Sequence, residues 1–233
     1  MLEIAEARAR LSAASAVAVL TGAGISAESG IPTFRGPGGL WRNLRPEDLA
    51  TPEAFERDPQ MVWEWYLWRR GLIAAATPNA GHRSLVALEQ LKSRFTLITQ
   101  NVDGLHDRAG SQKILKIHGD IWITRCSECP YQRRDRSTTE APPSCPECGA
   151  LLRPGVVWFG ESLPRIAWDE AERAVSQADV LLVAGTSATV YPAAGLLHLA
   201  RCVIEVNQEE TPFSHRVAIS LRGTCGDVLP RLW

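Results

Sequence analysis

The sequence predicts an α/β protein: a doubly wound, mostly parallel sheet carrying a smaller module of helices and cysteine knuckles. Three observations predict it. Short apolar segments alternate with helical patterns along most of the chain. The first of these segments runs directly into a glycine-rich turn, Gly22-Ala23-Gly24-Ile25-Ser26-Ala27. Two Cys-x2-Cys pairs then interrupt the alternation inside a polar stretch between residues 121 and 156.

Taken in order, residues 2–14 place Ile4, Ala5, Ala7 and Leu11 at helical spacing and lead into a strand at 16–21. The following turn has the pattern Gly-x-Gly-x-x-Ala. Such a turn lets backbone approach a pyrophosphate at a helix N-terminus, and it equally describes an ordinary tight strand-to-helix turn. Gly30, Pro32, Gly36, Pro37, Gly38 and Gly39 keep any helix short and predict a long loop bearing Phe34 and Arg35. A dehydrogenase would instead show a smooth helix, a second strand and a ribose-binding acid about 20 residues on. Hydride transfer is disfavoured. Residues 36–75 read as helical and aromatic, without a strand, and the default for Trp63, Trp65 and Trp68 is core packing. A helix over Ala80–Leu91 precedes the strands Phe95–Thr99 and Ile114–Ile117. Beyond the cysteines come a helix over Trp168–Gln177 and the strands Val180–Ala184 and Cys202–Val206.

Each of these strands ends in polar residues: Gln100-Asn101, His118-Gly119, Gly185-Thr186-Ser187 and Asn207. Parallel α/β sheets bind ligands beyond the carboxyl ends of their strands, so these residues are expected on one rim around one crevice. Segments 1–35, 76–120 and 157–233 are assigned to the sheet domain, and 36–75 with 121–156 to the smaller module.

Apolar residues make up 45% and charged residues 22%, the balance of a soluble globular protein. A formal net charge of −1 offers no polyanion-binding surface, which disfavours nucleic acid as a partner. No apolar run is long enough to span a bilayer, so no membrane partner is expected. The opening Met1–Glu6 lacks a basic region followed by an apolar stretch, and the expected location is cytoplasmic. The oligomeric state is open, a monomer being one reading.

Cys126-x2-Cys129, fifteen intervening residues and Cys145-x2-Cys148 form one set, while Cys202 and Cys225 stand alone. Without an export signal this spacing reads as a zinc site rather than a disulfide framework. Four thiolates complete a tetrahedron and leave no open position, so the metal is structural. For a module too small to bury a sufficient core, such a metal supplies folding energy. Asn101 and Asp103 read either as helix caps or as groups that hydrogen-bond a carboxamide and ribose hydroxyls. His118 reads either as a satisfied structural histidine or as a base with a pKa suited to proton removal near neutrality. Ser26 and Ser187 lie outside any Gly-x-Ser-x-Gly context, which argues against a serine nucleophile.

The run Gly22–Gly36, with Ile31-Pro32-Thr33-Phe34-Arg35 at its end, closely resembles the cofactor motif of the sirtuins, NAD-dependent protein-lysine deacylases. Thr99-Gln100-Asn101-Val102-Asp103-Gly104-Leu105-His106, His118-Gly119 and Leu152–Glu161 match the same family in order, and the resemblance extends to Gly223-Thr224-Cys225. It implies a Rossmann-like domain using NAD as a consumed co-substrate, a structural Zn2+, and acyl-lysine proteins or peptides as partners. By the match, Gly22, Ala23, Gly24, Ser26, Ala27, Glu28, Thr33, Phe34, Arg35, Trp41 and Gln100 line the cofactor. Asn101 and Asp103 surround the nicotinamide and its ribose, and count with His118, the general base, as catalytic. Gly185, Thr186, Ser187, Asn207, Gln208 and Cys225 serve the adenosine half. In the family mechanism the acyl oxygen attacks the ribose C1′ as nicotinamide leaves. The base then deprotonates a ribose hydroxyl, and free lysine and O-acyl-ADP-ribose result.

Val157, Trp158, Phe159 and Gly160 fall in the family's substrate-channel strand, to which an extended peptide adds as a strand. Gly155 stands where many members carry a bulkier residue, so looser peptide alignment is expected. Tyr66 and Arg69 are three apart, on one face of a helix, and form the Tyr-x-x-Arg signature of class III members. There a guanidinium and a phenol grip the carboxylate of succinyl- or malonyl-lysine. From spacing alone the same stretch reads as a Trp-rich core helix with Arg69 or Arg70 solvated or paired with Glu64. The expectation is a desuccinylase/demalonylase that also deacetylates. A plain deacetylase, a mono-ADP-ribosyltransferase using the same NAD cleft and a non-catalytic ribbon module are the alternatives.

Overall fold

A computed structural model describes residues 2–33, 45–136 and 142–233. Helix α1 (Leu2–Ala13) leads into strand β1 (Ala16–Thr21), every residue of which is buried. Burial on both faces is what a continuous apolar run predicts for a parallel strand. Helix α2 (Ala23–Ala27) follows at once, and α3 (Pro46–Leu49), α4 (Pro52–Arg57) and α5 (Pro59–Ala75) precede the next strand. Thr51 and Asp58 cap α4 and α5 through the Ala54 and Met61 amides, each followed by proline at the first helical position.

Helix α6 (Ala80–Leu91), β2 (Arg94–Thr99), α7 (Leu105–Ala109), β3 (Ile114–Lys116), β4 (Gly119–Cys126), β5 (Gln132–Arg134) and β6 (Leu152–Val156) come next. The chain closes with α8 (Arg165–Gln177), β7 (Val180–Ala184), a 3-10 helix at Ala193–Leu199, β8 (Val203–Asn207), β9 (Ile219–Arg222) and α9 (Cys225–Val228). Six strands form a parallel sheet in the order β3-β2-β1-β7-β8-β9. The chain leaves β1 for β2 on one side and returns to β7 on the other, so the switch point lies between β1 and β7. Val17, Val19, Leu97, Leu182 and Val206 pack one face against α1, α6 and α9 residues. Ala18, Leu20, Ile98, Leu181 and Val183 pack the other with Ala171 and Val175 of α8.

A second, antiparallel sheet has the order β5-β4-β6. Helix α5 is tied to it: the Trp63 indole donates to the Leu152 carbonyl at 2.8 Å, and Arg70 Nε donates to the Ile121 carbonyl at 2.9 Å. Arg70 is buried, stacked near Trp63 and Trp122, and its Nη2 reaches Thr124 Oγ1 at 3.1 Å. It is therefore a structural tie, not a solvated cation. Among the described residues no helix is long and apolar enough to cross a membrane.

The sequence pattern omits β4, β5 and β9. On the edge strand β9, burial alternates and Ser220 and Arg222 are polar, which hides a short strand from an apolar-run search. β4 begins at Gly119, whose φ of +83° turns the chain out of β3. A Cβ there would lie 2.3 Å from the Gly155 carbonyl oxygen, so only glycine fits.

Candidate active site

The polar strand ends do converge. Residue pairs Thr21 and Thr99 face each other at the ends of β1 and β2, and Thr21 and Ala184 at the ends of β1 and β7. Gly22 and Gly24 open α2 in a space with no room for side chains: Cβ atoms there would each lie 2.7 Å from Thr186 Cβ and the Gly185 oxygen, respectively. The glycines thus let α2 dock on the β7 end, where Gly24 N donates to the Gly185 carbonyl at 2.7 Å. Ala23 and Ala27 complete α2, half-buried. The Glu28 carboxylate is taken by the Gly226 amide of α9 at 2.7 Å, so it clasps two elements of the fold. Thr33 is half-buried; Phe34, Arg35 and Trp41 lie outside the described residues.

Behind this turn is a buried cluster. Ser26 Oγ donates to Asp103 Oδ2 at 2.8 Å, and Asn101 Nδ2 donates to Ser26 Oγ at 3.2 Å and to the Gly22 carbonyl at 3.0 Å. Asp103 Oδ1 accepts from the Leu105 amide at 2.8 Å, while the preceding turn needs Gly104 at φ +74°. Asp103 thus bonds the first amide of α7 while its other oxygen holds Ser26. Burial pushes its carboxyl upward, with the Leu105 amide, the Ser26 hydroxyl and the nearby Arg69 partly offsetting this.

Sequence reasoning gave little weight to the layer beneath. Thr21 Oγ1 donates to Thr99 Oγ1 at 2.9 Å, and Thr99 Oγ1 accepts the Asn101 amide at 3.0 Å. His106 Nε2 lies 3.0 Å from Thr21 Oγ1, and the ring centroids of His82 and His106 are 4.8 Å apart. The signal was the matched threonines closing two apolar strands. Burial lowers both imidazoles to about 3, so both are neutral supports.

His118 Nδ1 sits 3.1 Å from the Gln100 carbonyl. A carbonyl can only accept, so the proton belongs on Nδ1 and Nε2 keeps its lone pair. Burial lowers this pKa and the carbonyl contact opposes the shift without cancelling it. The imidazole is neutral at pH 7 and poised to take a proton.

Toward the other end of the rim, Gln100 Nε2 donates to Thr186 Oγ1 at 3.0 Å. Asn207 Nδ2 donates to the Thr186 carbonyl at 2.9 Å, and its Oδ1 accepts from the Gln208 amide at 2.9 Å. Gly185 adopts φ +63°, Ser187 and Gln208 are exposed, and Cys225 is buried with its thiol pushed up to about 12, so it is inert. From β2 to β8 this rim crosses three strand spacings, about 14 Å, the reach of an extended dinucleotide. Its carboxamides, hydroxyls and buried carboxylate suit two riboses and a carboxamide base.

On α5, Tyr66 and Arg69 are both buried. Tyr66 Oη accepts from the Trp158 indole at 2.9 Å. Burial pushes the phenol well above its ordinary value and the guanidinium below its own, with Tyr66 and Asp103 opposing the latter. Arg69 is therefore neither solvated nor merely a surface charge. Trp158 also lies 5.3 Å from Phe55, and Arg153 stacks on it while gripping Glu161 with two hydrogen bonds.

The channel segment is tied closely into the fold. The amides of Val157, Trp158 and Phe159 already donate to the His118 carbonyl, Glu161 and the Ala50 carbonyl at 2.9, 2.8 and 2.9 Å. Phe159 and Gly160 are exposed. Gly155 also has a packing role: a Cβ would lie 2.7 Å from Ile123 Cβ and Cγ2, so its absence lets β6 close onto β4.

The Sγ atoms of Cys126, Cys129, Cys145 and Cys148 all lie within 4.8 Å of one another. Cys126–Cys148 is 3.4 Å and Cys129–Cys145 is 3.6 Å. Zinc–sulfur bonds of about 2.3 Å in a tetrahedron require sulfurs about 3.8 Å apart, so the four thiols fit the metal.

The Sir2 family model matches residues 22–192, more than half of the chain. An NAD-dependent protein deacylase of Aquifex aeolicus is 58% identical over 204 residues, 85% of each chain. One from Thermus thermophilus is 52% identical over 230 residues, 95% of this chain and 91% of that one. A solved Sir2 homolog–NAD complex superposes with a TM-score of 0.94 at 46% identity, covering 98% of this chain and 91% of that one. A strand-end cluster of this composition, a four-thiol knuckle pair and these likenesses agree: the chain belongs to the Sir2 family.

Proposed function

We propose that this chain is an NAD-dependent protein-lysine deacylase that removes succinyl and malonyl groups, and acetyl as well, releasing nicotinamide and O-acyl-ADP-ribose. The observation that carries the acyl preference is the Arg69 guanidinium, buried one helical turn from Tyr66 and within the field of Asp103. A guanidinium beside a phenol on one helix face can take a carboxylate with two parallel hydrogen bonds, which supports an anionic acyl group. When bound, NAD supplies a ribose carbon that gives up nicotinamide and accepts the acyl oxygen.

The chain's own residues do the rest. His118 holds its proton at Nδ1 and takes one from a ribose hydroxyl at Nε2. Asn101 and Asp103, locked by Ser26, Gly22 and Leu105, orient the nicotinamide end. Gln100 lines the cofactor, Gly185, Thr186, Ser187, Asn207, Gln208 and Cys225 serve the adenosine end, and Val157–Gly160 take the peptide. The four cysteines hold Zn2+ away from the reaction. Segments 36–75 and 121–156 act as the smaller module, with the cleft between it and the sheet domain. The near-neutral charge supports acyl-lysine proteins as partners rather than nucleic acid or membrane, in the cytoplasm.

Mass-spectrometric turnover of matched succinyl- and acetyl-lysine peptides, with and without NAD, tests this on the wild type and Arg69→Met. Succinyl removal should fall about a hundredfold in the variant, the loss of one bidentate charge pair, while acetyl removal persists. Equal, unchanged rates would make the protein a plain deacetylase. ADP-ribose retained on the target would identify an ADP-ribosyltransferase.

A further inference from the structure

Glu205 presents a buried charge that no step above uses. It lies in β8 with Val203 on one sheet face, opposite Ile204 and Val206, and is 1% exposed. An aliphatic residue would satisfy that position by packing alone. A buried carboxylate costs several kcal/mol unless hydrogen bonds replace its water. Here they do. Its oxygens accept from Thr211 Oγ1, from Ser214 Oγ and Ser220 Oγ at 2.6 Å each, and from Arg222 Nη1 at 3.3 Å. Burial pushes the carboxyl upward, but the three hydroxyls and Arg222 outweigh it, and the group stays ionised.

The donors are not spread at random. Ser220 and Arg222 belong to β9, whereas Thr211 and Ser214 sit midway in the connection between β8 and β9. That connection is internally knotted: Thr211 N donates to Ser214 Oγ at 2.8 Å, Phe213 N to Thr211 Oγ1 at 3.2 Å, and Arg222 Nη2 to Ser214 Oγ at 2.9 Å. Glu205 therefore pins the loop to the strand that launches it. Two residues on, Asn207 joins the Thr186 carbonyl to the Gln208 amide, and its own carbonyl accepts the Gly223 amide at 3.1 Å. Pinning at Glu205 thus sets where Asn207 and Gln208 stand relative to the β7 end.

We infer that Glu205 is the positioning residue of the adenosine end of the cleft, holding Asn207 and Gln208 in place through Thr211, Ser214, Ser220 and Arg222. The inference rests on the proposed NAD site. It assigns Glu205 to dinucleotide binding and not to the acyl-transfer steps, which occur around His118. A hydrophobic replacement releases the loop, and a glutamine, which keeps one acceptor oxygen and the same length, holds most of it.

The test is ADP-ribose binding by titration calorimetry, alongside NAD KM and kcat, for the wild type, Glu205→Leu, Glu205→Gln, Ser214→Ala and Asn207→Ala. Glu205→Leu should weaken ADP-ribose and raise the NAD KM about tenfold or more, with kcat within about threefold, as expected for lost uniform binding. Glu205→Gln should restore most of the affinity, and Ser214→Ala should weaken it about threefold without threatening the fold. A lowered melting temperature with unchanged ADP-ribose affinity in both Ser214→Ala and the Glu205 variants would overturn the inference. So would a fall in kcat at constant KM. Asn207→Ala is the separate control. If it leaves ADP-ribose binding intact, the placement of the adenosine at this rim is wrong, whatever Glu205 does.

Discussion

At the rim of the six-stranded sheet, side chains as distant in sequence as Thr21, Asn101, Thr186 and Asn207 meet because strand order places their strands side by side. In the antiparallel module, four thiols lie within 4.8 Å of one another because two short knuckles bring them there. The rim groups satisfy one another: Ser26, Asn101, Asp103 and His118 all have protein partners. The sulfurs have each other and backbone amides such as Glu128 N on Cys126 Sγ at 3.4 Å, and thiols are weak donors and acceptors. The lesson is that the first region carries its geometry in the fold and receives a ligand, whereas the second borrows its geometry from a metal.

Metal removal should expose that difference most strongly. Structural zinc contributes about 10 kcal/mol or more to such modules, so chelation or Cys145→Ser should unfold the antiparallel sheet and abolish turnover. Metal content by mass spectrometry, with limited proteolysis, should place the first cuts in residues 121–156. A protein that stays protease-resistant and active without zinc would erase the contrast. On the rim, His118→Asn should lower O-acyl-ADP-ribose formation about a thousandfold, within the range for losing a general base. Its melting temperature should barely move, since the rim is held by many other bonds.

Acid sharpens the comparison further. His82 and His106 hold folded pKa values near 3, below the unfolded value of about 6.5. Below pH about 6.5 the unfolded chain binds protons that the native rim refuses, so stability falls as pH drops toward 3. Glu205 and Glu161, lowered in the fold, act in the same direction at lower pH, and Asp103, raised, opposes them. Unfolding free energies from urea melts at pH 7 and 5 should differ by about 4 kcal/mol, roughly 2 from each histidine, and His106→Gln should nearly halve the gap. The acid limb of kcat/KM should fall below pH 6.5, because burial lowers His118.

Two glycine substitutions give the smaller effects. Gly24→Ala would set a Cβ 2.7 Å from the Gly185 oxygen, and about 2–3 kcal/mol of stability should be lost with NAD binding impaired. Gly30→Ala meets nothing within 4 Å, yet its φ is +83°, so about 1 kcal/mol should be lost, with turnover retained. Denaturant melts distinguish the two: equal losses would mean that α2 docking is no tighter than a free turn.

The sequence by itself determined the parallel α/β class, the strand ends that bear Asn101, His118 and Asn207, and the four thiols. Those features live in short windows: apolar runs, turn residues and a Cys-x2-Cys spacing. The tertiary structure alone decided what those residues touch. Gly155, expected to loosen peptide alignment, also lets two strands press together at Ile123. Glu28, expected to line the cofactor, also clasps α9 across a separation of 198 residues. Arg69 and Arg70, neighbours in sequence, part company because a helix turns about 100° per residue: Arg70 ties β4, and Arg69 faces Tyr66 and Asp103. Glu205 carried no local signal at all, since its four donors come from the connection that follows β8 and from β9. A charge reads as surface in a window of sequence, and only the packed sheet shows that water has been replaced by hydroxyls.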